Sequence, residues 1–304
     1  MSRIGFVFCL LIISFIRAAA CINNVTELKD GAVITKDKFG FDVPYGHIFI
    51  VENLDAEAIR LDSLWKATRD VDYYSDYGLI KVAQGKYKEA KEIYLEIETL
   101  KPDRFETAAN LGTVYELLGE YRNALRWIKT AIKIEPLSHV DSEWLHVKIL
   151  EARIHGSDAY IASDFLLNTS FGDDTIPKTD LNQSQLLKLK SELFYQLNEQ
   201  LTYHKDKDKV LAHLLFDLGN ALLALNRVHA AVEVYEMANA YGYANYLFDI
   251  RYQYAKNLKA NVKVTPKNSA ESQYWLIFIG SVCFLIFPVL MFLYLKRKMS
   301  GDND

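Results

Sequence analysis

Residues 71–138 repeat at a fixed offset of 34, and this period narrows the fold more than any other feature of the chain. Gly78 returns as Gly112, Gly85 as Gly119, Tyr87 as Tyr121, Ala90 as Ala124 and Pro102 as Pro136. A period of this length describes one supersecondary unit that buries its apolar side by stacking on a neighbour. The conserved spacing has a physical sense. Gly78 and Gly112 allow two helices to cross closely, with Ala90 and Ala124 expected opposite them. Gly85 and Gly119 fit helix C-termini, and Pro102 and Pro136 stop the helix that follows. Leu111, Tyr115, Ile128 and Ala131 recur at helical spacing and are expected in the core.

Glycine, aromatics, alanine and a closing proline at this period resemble the tetratricopeptide repeat (TPR) family, with 71–104 and 105–138 as consecutive repeats. Residues 212–245 resemble a degenerate third copy. Leu218, Gly219, Ala231, Tyr235 and Ala238 keep their places, Asn226 replaces the turn glycine, and Tyr243 stands where the proline would. The expected fold is all-α, a TPR-like helical-repeat solenoid over 54–259 followed by a C-terminal single transmembrane helix. Leu54 to Asp72 reads as a helix capping the first repeat, and Asp141 to Ile154 as an amphipathic helix ending at Gly156. Residues 182–203 carry a stripe of Leu186, Leu189, Leu193, Leu197 and Leu201, and 246–259 form a closing helix. An insertion at 157–181 interrupts the array. Residues 21–53, punctuated by Gly31, Gly40, Pro44 and Gly46, read as loosely ordered, with one β-prone run from His47 to Val51.

Both ends carry membrane-directed patterns. Residues 1–20 have the order of a signal peptide: Arg3, an apolar run from Ile4 to Ile16, and the small residues Ala18, Ala19 and Ala20. With Cys21 that exit resembles a bacterial lipobox, whose cysteine is lipidated; the alternative is ordinary cleavage before a chance cysteine. A bacterial host would make the body periplasmic. Residues 274–295 are 22 uncharged residues, edged by Tyr274, Trp275 and Tyr294 and closed by Lys296, Arg297 and Lys298. At ~1.5 Å per residue this run crosses a ~30 Å hydrocarbon core. The positive-inside rule puts the tail, 296–304, in the cytoplasm and the body outside it, joined by a polar linker at 260–273. The expectation is a single-pass membrane protein.

The chemistry of the rest is bland. A net charge of −4 over 304 residues gives no reason to expect nucleic acid. Cys9, Cys21 and Cys283 leave the body without a pair to bridge. No phosphate loop, nucleophile elbow, zinc-protease or dinucleotide motif is present. His139 and His146 share a helical face with Glu143, which reads as satisfied histidines before it reads as a metal site. Asp173 and Asp174 lack the spacing of a calcium loop. Asn24, Asn168 and Asn182 head glycosylation triplets that matter only in a eukaryotic host. No cofactor is expected.

These observations favour a membrane-anchored extracytoplasmic scaffold that binds a protein or peptide, as part of an envelope complex. The family resemblance implies that first helices line a peptide groove, with Tyr74, Lys81, Asn110 and Thr113 as its candidate residues. The alternative is an enzyme with a cryptic site in the non-repeat regions.

Overall fold

The computed structural model describes residues 27–38, 40–136 and 138–261. In chain order they form strands β1 (Thr35–Lys36) and β2 (Ile48–Phe49), then helices α1 (Leu54–Thr68), α2 (Val71–Ala83), α3 (Tyr87–Leu100), α4 (Phe105–Leu117), α5 (Tyr121–Ile134), α6 (Glu143–His155), α7 (Ser163–Leu167), α8 (Gln183–Tyr203), α9 (Lys209–Ala224), α10 (Val228–Ala240) and α11 (Tyr246–Asn261). Each repeat pairs two of these helices: α2 with α3, α4 with α5, and α9 with α10.

The same turn closes all three pairs. After α2, the Lys86 amide donates to the Lys81 carbonyl and Gly85 to Val82. Glu120 and Gly119 bond Tyr115 and Glu116 in the same way, and Arg227 and Asn226 bond Leu222 and Leu223. This double closure requires a left-handed residue, supplied by Gly85 (φ +72), Gly119 (φ +75) and Asn226 (φ +58).

The helices of each pair also cross at one glycine. A Cβ on Gly78 would lie 2.8 Å from the Tyr94 ring, one on Gly112 would lie 2.3 Å from Ile128, and one on Gly219 would lie 2.5 Å from Tyr235. The facing residue is thus sixteen positions on. Ala90 and Ala124, expected opposite the glycines, are fully buried, but the nearest atoms belong to Tyr94 and Ile128. Side chains one turn beyond the alanines fill the space over the glycines.

Two large apolar clusters fill most of the interior, beside a small one of Ala108, Ala109 and Ala131. One gathers Leu61, Leu79, Tyr94, Ile97, Leu111 and Ile128, the other Leu193, Leu197, Leu214, Leu218, Tyr235 and Phe248. Helix α6 joins them, with Leu150 in the first and Leu145, Ile149 and Ala152 in the second. Helix α8 starts with a capping box between Asn182 and Gln185 and lies against α6 and α9. Leu186, Leu189, Leu193, Leu197 and Leu201 are all buried.

Two expectations change. From residue 27 onward the N-terminal segment is not loose: β1 and β2 pair antiparallel, Thr35 opposite Phe49, and Leu28 and Ile34 are buried in the first cluster. Its glycines mark turns and a close approach, not disorder. The single-pass membrane localisation is also corrected. Among the described residues no helix is long and apolar enough to cross a membrane. The longest, α8, carries Lys188, Lys190, Glu192 and Glu199, charges that a hydrocarbon core would not accept. The runs 1–20 and 274–295, Cys21 and the Asn24 triplet lie outside the described residues.

Candidate functional site: the covered polar face of the repeats

All four candidate groove residues are buried. Tyr74 stacks on Trp65 at 4.7 Å and donates to Glu96 at 2.6 Å. Lys81 pairs with Glu89 at 2.8 Å and lies over the Tyr77 ring. Asn110 is 0% and Thr113 6% exposed. As folded, none of them presents a free face to a peptide. Helix α4 is buried without a break from Thr107 to Glu116, packed between α3 and α5, with α6 and α8 reaching Glu116 at its end.

The register of Asn110 is nevertheless informative. It stands two residues before the crossing glycine Gly112. The same position before Gly78 is Asp76, and before Gly219 it is Asp217; all three side chains are fully buried. A buried carboxylate must be hydrogen-bonded or neutralised. Here non-repeat segments supply the bonds. The Lys29 amide, from the N-terminal segment, donates to Asp76 at 2.8 Å. Ser163, from the insertion, donates to Asp217 at 2.9 Å. Burial raises both carboxyls, Asp76 to about 7 despite the Lys29 bond.

The N-terminal segment forms a strap from the first repeat to the third. At its start Lys29 Nζ donates to Asp72 at 2.6 Å, and Asp72 also receives Arg104 at 2.7 Å. Further on, Asp42 pairs with Lys190 of α8 at 3.0 Å and Arg227 at 2.7 Å, while Tyr45 donates to Glu233 of α10. Gly46 passes so close to α8 that a Cβ would lie 2.8 Å from the Leu201 carbonyl oxygen, and its φ is +78. Its amide donates to Asn198 at 2.9 Å. His47 bridges Asp37 at 2.6 Å and Glu199 at 2.8 Å. Burial disfavours the charged imidazole, but the two carboxylates prevail and raise it to about 9.

Deeper in, Glu116 joins α4 to α6 and α8. His146 Nε2 lies 2.7 Å from its carboxylate, Arg153 pairs with it, and Gln200 donates to it at 3.2 Å. Burial would raise this carboxyl, but His146 and Arg153 hold it well below the usual range. His146 is raised in turn to about 9, against burial, by Glu116 and Glu143. His139 is bonded to Glu143 and packed between Phe105 and Tyr195, so both histidines of the helical face share one glutamate. Among the described residues no group of three or more His, Cys, Asp or Glu side chains is arranged to hold a metal ion.

The grouping nearest to a catalytic constellation is Ser163, His213 and Asp217. Ser163 Oγ lies 3.2 Å from His213 Nε2, and Asp217 lies 3.4 Å from that same nitrogen. A nucleophile–base–acid relay needs the acid on the opposite ring nitrogen. Here the serine directs its one proton to the carboxylate, so the imidazole is not the group placed to take it. The adjoining cleft, about 580 Å³ and lined by Asp164, Asn168, Lys178 and Asp180, includes none of the three. The cluster therefore fastens the insertion to α9.

Residues 71–104 and 105–136 match the family model of the tetratricopeptide repeat. Both are tetratricopeptide repeats. No curated protein matches the chain. Among solved structures it is similar to a chain of the APC/C hetero-tetramer Cut9–Hcn1, with 14% identity and a TM-score of 0.35, covering 68% of this chain and 40% of that one.

Proposed function

We propose that the protein is a non-catalytic scaffold that binds another protein. The two matched tetratricopeptide repeats carry this reading. Repeats of this class are helix pairs held rigidly by their turns and crossings, and rigid pairs position side chains for a partner with little ordering entropy. Asn110, Asp76 and Asp217 belong to this reading as one repeated position, and Tyr74, Lys81 and Thr113 as further buried residues of the same first helices. The test is affinity capture of the full chain, followed by reconstitution with each purified candidate. A saturable complex of fixed stoichiometry by calorimetry supports the scaffold. No reconstituted complex with any captured protein overturns it.

A further inference from the structure

Resting on the scaffold reading, we propose that the strap over residues 27–53 stands in for an extended basic segment of the partner protein, which displaces it and seats cationic side chains on Asp76 and Glu199. The two carboxylates lie buried beneath the strap, at 0% and 5% exposure. Each is only half used. Asp76 accepts the Lys29 amide on Oδ2, and Oδ1 is buried without a partner. Glu199 accepts His47 on Oε1, and Oε2 is buried without a partner. A buried acceptor left unmade keeps its full desolvation penalty.

The strap thus offers one backbone amide and one imidazole nitrogen where two carboxylates present four oxygens. A guanidinium fork donates to both oxygens of a carboxylate at once and brings the opposite charge. Arginine, or lysine less well, completes both sites. Acidic or apolar segments leave them worse.

The strap is also built to leave. Leu28 and Ile34 anchor its first part, whereas from residue 37 to 47 its contacts are mostly polar, joined by Val43 against the second cluster and by Phe41, which meets Phe194 edge-on yet is 80% exposed. Such contacts exchange readily for those of a competing chain. The approach of Gly46 to Leu201 is a point at which the strap alone can be loosened.

The experiment uses the full chain and two fluorescent twelve-residue probes, one alternating arginine and serine, the other glutamate and serine. Anisotropy gives Kd for wild type, for Gly46→Val, and for Asp42→Ala with His47→Ala. Hydrogen exchange over residues 35–47 reports strap release. A protein whose competent state is rarely populated binds more weakly by that fraction. Both variants should therefore bind the arginine probe about tenfold more tightly or better. Adding Asp76→Asn and Glu199→Gln should remove the gain, and the glutamate probe should not gain. Released strap without tighter arginine binding overturns the inference, as does a gain that survives the two neutralising changes or is shared by the glutamate probe. If Gly46→Val does not fold, the Asp42→Ala, His47→Ala protein makes the same comparison. If the probes fail while the reconstituted partner complex forms equally with wild type and strap variants, this inference falls and the scaffold stands.

Discussion

A methyl group on Gly112 would lie 2.3 Å from Cδ1 and 2.6 Å from Cγ1 of Ile128. The two helices of the second repeat therefore touch through a position that only hydrogen fits. Gly112→Ala gains about 1 kcal/mol of helix propensity but must push an isoleucine out of a closed core. Overpacking of this kind costs about 1–3 kcal/mol. The expected net result is a lower urea midpoint at unchanged slope. Adding Ile128→Val should recover part of the loss, and no recovery would place the strain elsewhere.

Glu116 sits between His146 and Arg153 with all three side chains buried. Glu116→Gln leaves two cations without their shared anion. Removing one partner of a buried pair costs about 3–5 kcal/mol. The double change Glu116→Gln, His146→Gln should cost less than the sum of the single changes, because it removes one stranded charge. Strict additivity in denaturant unfolding would show that the two residues are not coupled.

The pH dependence above neutrality should come from His47 and His146. Both are raised to about 9 in the fold, against about 6.5 in an unfolded chain. Their stabilisation is complete below about 6.5 and is lost as pH rises through 9, with a slope approaching about 1.4 kcal/mol per pH unit for each. Asp76 acts in the same direction over a lower window, since a raised carboxyl penalises folding as pH rises from about 4 toward 7. Measured from pH 7 to 9, unfolding free energy should fall, and His47→Gln should flatten the fall. A profile unchanged by that substitution would remove the imidazole from the account.

Arg251 of α11 is 1% exposed and donates to three backbone carbonyls of the insertion: Asp174 at 3.0 Å, Phe171 at 2.9 Å and Gly172 at 2.6 Å. Burial pulls its pKa down, yet an arginine stays charged. Arg251→Met keeps the volume and frees three carbonyls. Hydrogen exchange across residues 170–178 should accelerate at least tenfold, with protection of α4 unchanged. Lysine, with one ammonium for a spread of three acceptors, should restore little.

The repeats are legible in the sequence because glycine, alanine and proline do local work at fixed spacing. Even the Asn226 turn follows from the residue's tolerance of left-handed backbone. The polar position is half legible. Asn110 stands out by type, whereas Asp76 and Asp217 share its register and emerge only when each is counted back from its own crossing glycine. The strap is not legible, because periodicity reports neighbours within a helix and carries nothing about a contact between Asp42 and Lys190. Glycines read as looseness at 40 and 46 include one that a tight backbone approach demands. The burial of Tyr74 and Lys81 comes from nearer neighbours, Trp65 and Glu96 for the one and Tyr77 and Glu89 for the other, whose packing across helices a single helical face does not reveal.

The strap has a consequence for how the molecule is made. Its contacts join Tyr45 to a glutamate 188 residues later, Asp42 to an arginine 185 later and His47 to a glutamate 152 later. Long loops must close before such contacts form, and domains assemble from the N-terminus as synthesis proceeds. The strap is thus synthesised before the helices it crosses to, and its contacts with them are among the last to form. A nascent chain therefore carries the part of the strap that crosses to α8 and α10 undocked while the third repeat is still being translated, so a partner present during synthesis meets a surface that the finished protein keeps covered.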